Sequence, residues 1–151
     1  MNLKEQISKL ELVLPPAPPL GGVYKPVMIV GNMLYVSGQG PVQTDGSLIK
    51  GKLGIQLDTK AGYAAARQVG LTMLSSINAH ADLSQVKRLV KTLGMVNSAP
   101  DFHQQPQVIN GFSDLMVELM GDDHGKGARS AVGMILPGNI AVEIEAIFEL
   151  Y

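Results

Sequence analysis

Two apolar rhythms alternate along the chain, one near 3.6 residues and one of two, and together they divide it into helices and strands. Leu3, Ile7, Leu10 and Leu14 are spaced for one face of a short helix over Leu3–Val13. The run Pro15-Pro16-Ala17-Pro18-Pro19 stops that helix and favours an extended connector, because proline supplies no backbone donor. Val23–Val30 and Met33–Ser37 read as strands joined across a tight Gly31-Asn32 turn. A turn-rich stretch follows, with a short strand at Ser47–Lys50. Asp58 or Thr59 caps a long helix to about His80, whose face Ala65, Val69, Met73, Ile77 is narrow enough for close packing. Lys87–Val96 reads as a strand. Pro106 suits the first turn of another helix, whose stripe Val108, Phe112, Leu115, Leu119 ends near Gly121. Arg129–Leu136 and Ile140–Leu150 close the chain as strands around Pro137-Gly138-Asn139.

That order, β-β-(β)-α-β-α-β-β, predicts an α+β fold with two helices on one face of a mixed sheet. Residues 1–20 form an N-terminal helix and connector, and 21–151 form a single domain. The last strand carries the most information. Val142, Ile144, Ala146, Phe148 and Leu150 share one face; Glu143, Glu145, Ile147 and Glu149 share the other. The first face covers the helices. The second is too mixed for a core and too apolar at Ile147 for plain solvent, which suits packing against a neighbouring subunit.

Composition narrows the function. Of 151 residues, 46% are hydrophobic and 17% charged, the balance of a globular chain. Net charge is −1, which gives no general attraction to phosphate backbones or anionic lipid and argues against nucleic acid as the main partner. With no cysteine, disulfides, thiolate metal sites and cysteine nucleophiles are excluded. No apolar run is long enough to span a bilayer and the first residues lack a secretory pattern, so a cytoplasmic protein is expected.

Several motifs fail on their chemistry. "GSLIKGKL" approaches a phosphate-binding loop, but Leu53 stands where the magnesium-binding hydroxyl belongs and no helix start follows. Ser37 lacks the flanking glycine of a nucleophile elbow. Asp122-Asp123-His124 has metal-ligand chemistry but reads as a helix-exit loop, so neither metal nor cofactor is expected. Lys87, Arg88 and Lys91 have no interleaved aromatics and read as a solvated strand face. One residue stands out. Arg129 sits at the mouth of the apolar run Ala131–Leu136, where a surface salt bridge is the plain reading and a ligand anion the sharper one.

"VYKPVMIVGNMLYVSGQGP", followed by "GARSAVGMILPGNIAVEIEAI", resembles the Rid family, the reactive-intermediate deaminases also called YjgF-like or L-PSP endoribonuclease-like proteins. The matching parts are G-N-x-L/I-x-x-S-G-Q-x-P, A-R-S-x-V and V-E-I-E-A-I, in the family's order, from about Gly22 to Leu150. "INGFSDLM" and "ARSAVG" look closer to the family's longer, divergent branch. The resemblance implies a chorismate-mutase-like fold, assembled as a homotrimer around a barrel-like core of sheets, with ligand sites in the clefts between subunits. It implies hydrolysis of small enamines and imines to 2-keto acids and ammonia, without a cofactor. A non-catalytic trimer that binds a small carboxylate is the alternative, and an endoribonuclease fits less well.

Carried over by position, Arg129 matches the arginine that clamps the substrate carboxylate, and its planar fork suits bidentate pairing. Glu143 matches the glutamate that orients the attacking water, and Tyr24 the tyrosine lining the cleft; a solvated carboxylate and a packing ring are their ordinary readings. Asn110 matches a helix asparagine. Ser37 and Gly38 fall in the "SGQ" segment, where a missing side chain lets backbone approach the ligand. Where many archetypal members carry cysteine, this chain has Ala131: backbone contacts survive, a thiol contribution does not.

Overall fold

The computed structural model describes all 151 residues. In chain order it contains α1 (Leu3–Lys9), β1 (Val27–Val30), β2 (Met33–Gln39), α2 (Thr59–His80), β3 (Val86–Asn97), α3 (Gln105–Gly125), β4 (Ala128–Met134) and β5 (Val142–Leu150). The sheet order is β1-β2-β5-β3-β4, with β3 and β4 parallel and every other pair antiparallel. α3 is the crossover between the parallel pair, and it packs with α2 on one face of the sheet. This is the expected α+β layout, and it puts β4 at an open edge.

Local chemistry sets the boundaries. Asp58 caps α2 by accepting from the Ala61 amide at 2.8 Å. α1 stops at Lys9, short of the expected Val13, because Glu11 turns to φ 52° and the Glu11 and Leu12 amides bond back to Ser8 and Ile7. β1 begins at Val27, four residues later than the alternation suggests. Val23 and Tyr24 belong to a turn in which the Gly21 amide donates to the Tyr24 hydroxyl at 3.3 Å, and Pro26 offers the ladder no donor. β4 ends at Met134, since Leu136 leads into a 3-10 turn at Pro137–Asn139. The expected strand at Ser47–Lys50 reduces to two isolated bridges, Val42 to Leu48 and Lys50 to Ile140. α3 loses helical geometry at Gly121, φ 77°, where the sequence marked its end, and one further turn follows.

Between helices and sheet lies one core. Val69, Met73 and Ile77 from α2, Phe112 and Leu115 from α3, and Ile144 and Phe148 from β5 are fully buried within it. Each such side chain contributes about 1.5–3 kcal/mol relative to exposure. The helices approach closely because α3 presents Gly111 to the backbone of Tyr63, where any Cβ would overlap the carbonyl oxygen.

The opposite face of the sheet is uncovered. Cross-strand partners Met28, Tyr35 and Ile147 lie there, joined by Leu93, Val132 and the charged Lys91 and Glu145. Tyr35 keeps 43% of its surface exposed and Met28 49%. An apolar patch of this kind is a feature of interaction surfaces.

Candidate active site

The sequence-predicted residues gather in two separate places. The first lies where α3 crosses the edge strand β4, in a cavity of about 270 Å³. Arg129 pairs in register with Thr92, whose burial fixes this side of the sheet as the helix side, so the guanidinium reaches α3. Its Nη1 donates to Ser113 Oγ at 3.0 Å and its Nη2 to the Pro106 carbonyl at 3.4 Å. Asn110 lines the same cavity, three residues before Ser113 and hence on the same helix face. No carboxylate of the chain pairs with Arg129. Asp114 also lines the cavity, but its carboxylate accepts from the Tyr63 hydroxyl at 2.6 Å. Within one chain Arg129 therefore forms no salt bridge: its guanidinium is steadied by two neutral oxygens.

The second place is a cavity of about 350 Å³ whose lining includes Tyr24, Gly38, Lys50, Gly138 and Glu143. Its geometry starts from an irregularity in the β2–β5 ladder between Val36 and Gln39. The shift turns the buried Gln39 inward, where it donates to the Ser37 carbonyl at 3.0 Å and accepts from Ser76 of α2 at 2.8 Å. Gly38 is thereby held against Glu143. A Cβ at position 38 would stand only 2.5 Å from Glu143 Oε2. Glu143 is half-buried, and burial first, then the charge of Glu145, raises its carboxyl above the ordinary range.

Two predicted residues fall in neither place. Ser37 donates through its hydroxyl to the Lys25 carbonyl at 2.7 Å and lines a cavity on the uncovered sheet face. Ala131 is partly buried against the core. Of the Asp-Asp-His run, Asp122 pairs with Lys126 and Asp123 with His124. No group of three potential metal ligands converges, and no helix is long and apolar enough to cross a membrane.

Residues 6–146 match a protein family described as "YjgF/chorismate_mutase-like, putative endoribonuclease". This chain belongs to the YjgF family. It is 40% identical over 146 residues to Protein TCP17 of Trypanosoma cruzi, covering 95% of this chain and 91% of that one. A structure from Shewanella oneidensis, titled a putative endoribonuclease, superimposes with TM-score 0.91 at 29% identity, covering 99% of this chain and all of that one. Atu1372 of Agrobacterium tumefaciens, described as of unknown function, gives TM-score 0.85 at 37% identity, covering 99% and 94%.

Beyond the residues singled out from the sequence, the structure adds Ser113, Gln39, Ser76 and Lys50. Ser113 was discoverable, because it follows Asn110 by one helical turn. Gln39 stands inside the quoted "SGQ" but has no chemistry of its own. Ser76 and Lys50 are brought in by tertiary packing, and only the failed phosphate-loop match drew attention near Lys50.

Proposed function

We propose that this YjgF-family protein hydrolyses small 2-imino acids to 2-keto acids and ammonia, at a site composed between copies of the chain. The observation that carries the reading is the guanidinium of Arg129, in no salt bridge within the chain and steadied by Ser113 and the Pro106 carbonyl beside Asn110. A permanent charge so placed is a ready receptor for a carboxylate. The Glu143 cavity supplies the complementary half: a carboxyl of raised pKa beside glycine backbone and a tyrosine. One protomer keeps these halves in separate cavities. The uncovered face with Met28, Tyr35 and Ile147 supports an assembly, a homotrimer in this proposal, that joins one copy's Arg129 to another's Glu143.

The chemistry asks little of the protein. The iminium carbon is already electrophilic. Arg129 and Asn110 hold the substrate carboxylate, and Glu143 orients water and takes its proton as the new C–O bond forms. Glu143 then returns the proton to nitrogen, and as the C–N bond breaks it takes the hydroxyl proton so that the C=O bond forms. Passing that proton to the departing ammonia releases a 2-keto acid and ammonium and restores the carboxylate. A carboxyl with a raised pKa suits a group that must both accept and return a proton near neutral pH.

A second reading, a non-catalytic carboxylate-binding trimer, is favoured by one feature: Ala131 offers no reactive side chain beside Arg129. The deciding experiment generates 2-iminopropionate in situ and follows keto-acid release above the spontaneous rate. Wild type is expected to accelerate release, and Arg129→Ala to abolish the acceleration while melting normally. Equal rates for the two proteins reject the assigned role. Light scattering tests the assembly, since a monomeric mass rejects a composite site.

A further inference from the structure

The lining of the Glu143 cavity holds one residue of each charge, Glu143 and Lys50. Lys50 is the residue the imine chemistry leaves unused. Its backbone is fixed by a bridge to Ile140, while the flanking segment is tied by the Gly51 amide to Asn139 O at 2.9 Å and by the Ala141 amide to Ile49 O at 3.1 Å. The ammonium is therefore carried on an anchored strand-like segment and not on a free loop. It pairs with no carboxylate of the chain.

A counter-ion role toward Glu143 is the obvious alternative, and the electrostatics argue against it. An ammonium close enough to neutralise Glu143 lowers a carboxyl pKa, yet Glu143 is raised, by burial and Glu145 alone. Lys50 thus lines the cavity as an exposed residue that forms no salt bridge within the chain. In the composite site proposed above, a substrate gripped by one copy's Arg129 brings its imine carbon to another copy's Glu143, so its side chain shares the cavity that Lys50 lines.

We propose that Lys50 binds a second anionic group, so that the substrate class is 2-imino dicarboxylates. The inference rests on the deaminase reading for its chemistry, and the hydrolysis is unchanged: the distal carboxylate is bound and released intact.

Binding and turnover test it separately. Calorimetry on the full chain compares 2-oxoglutarate with 2-oxovalerate, acids of equal length that differ in the distal carboxylate. Wild type is expected to bind 2-oxoglutarate at least fivefold more tightly. Lys50→Met should bring that ratio to near one, Lys50→Glu should invert it, and Lys50→Arg should restore it. A wild-type ratio near one, or a ratio that Lys50→Met leaves intact, overturns the proposal. Turnover of 2-iminoglutarate and 2-iminobutyrate, each formed in situ, is followed in parallel. A Lys50-dependent binding preference without turnover supports the binding role and rejects the deaminase reading. Turnover of both imines with no Lys50-dependent preference does the reverse.

Discussion

Placing a single methyl group at position 38 separates the geometry of the Glu143 site from the stability of the fold. In Gly38→Ala the new Cβ would lie 2.5 Å from Glu143 Oε2 and 3.1 Å from its carboxyl carbon. Ordinary non-bonded separations are about 3.5 Å, so the carboxylate has to retreat by on the order of 1 Å. What yields is the end of a flexible side chain, not backbone, and a displaced rotamer costs about 0.5–1.5 kcal/mol. Position 38 also has no positive φ to forbid alanine. Folding should therefore weaken only slightly.

Catalysis should respond far more strongly, because a misplacement of about 1 Å in a reacting group costs on the order of 100-fold in rate. The assay pairs a urea titration of Gly38→Ala with the 2-iminopropionate turnover measurement, both on the purified full chain. The expected outcome is a stability loss below about 1.5 kcal/mol and a rate loss near two orders of magnitude. A variant that folds normally and keeps wild-type turnover would show that the Glu143 carboxylate has no positional role, and the assignment of the second half-site would fall with it.

Two further outcomes follow from burial and packing. Burial disfavours the charged form of Glu143 and raises its folded pKa above the unfolded value, so the native state gains stability as pH falls through the raised pKa, a gain complete below the ordinary value near 4.5. Glu143→Gln should lack that gain and be the more stable protein at neutral pH, with the difference shrinking on acidification; urea midpoints across pH 4–8 check the sign. Gly111→Ala drives a Cβ into the Tyr63 carbonyl, where backbone and not a side chain must move, so α2 and α3 should separate at a cost of about 1–3 kcal/mol. A urea midpoint equal to wild type would show that the helices are not in contact there.

The elements that sequence reasoning placed well are those whose signal repeats. β5, expected at Ile140–Leu150, lies at Val142–Leu150, because a period of two over nine residues leaves little freedom in register; β3, expected at Lys87–Val96, lies at Val86–Asn97. The extent of α2 was readable from one aspartate cap and one face. Errors fell where a few residues decide. No glycine announces the end of α1, since Glu11 itself takes the left-handed conformation. Val23 and Tyr24 look like strand residues, but proline at 26 and the Gly21–Tyr24 hydrogen bond make a turn. In both cases a single local contact outweighs a composition that favours regular structure.

The site was legible in a different way. Resemblance supplied the residue types, and the sequence alone offered no sign that Arg129 and Glu143 occupy separate cavities. Sheet geometry explains the separation. Arg129 shares the helix side of β4 with the in-register Thr92, whereas Glu143 alternates with the inward-facing Val142 and Ile144 and so belongs to the uncovered side. Groups on opposite sides of one sheet cannot grip the same small molecule within one protomer. For the proposed hydrolysis of an imine to use both, a second copy has to bring its β4 edge to the first copy's uncovered face, and the exposed Met28, Tyr35 and Val132 make that face suited to receive it. Assembly and catalysis then depend on the same surface, so a substitution that dissociates the copies should abolish turnover even with every site residue intact.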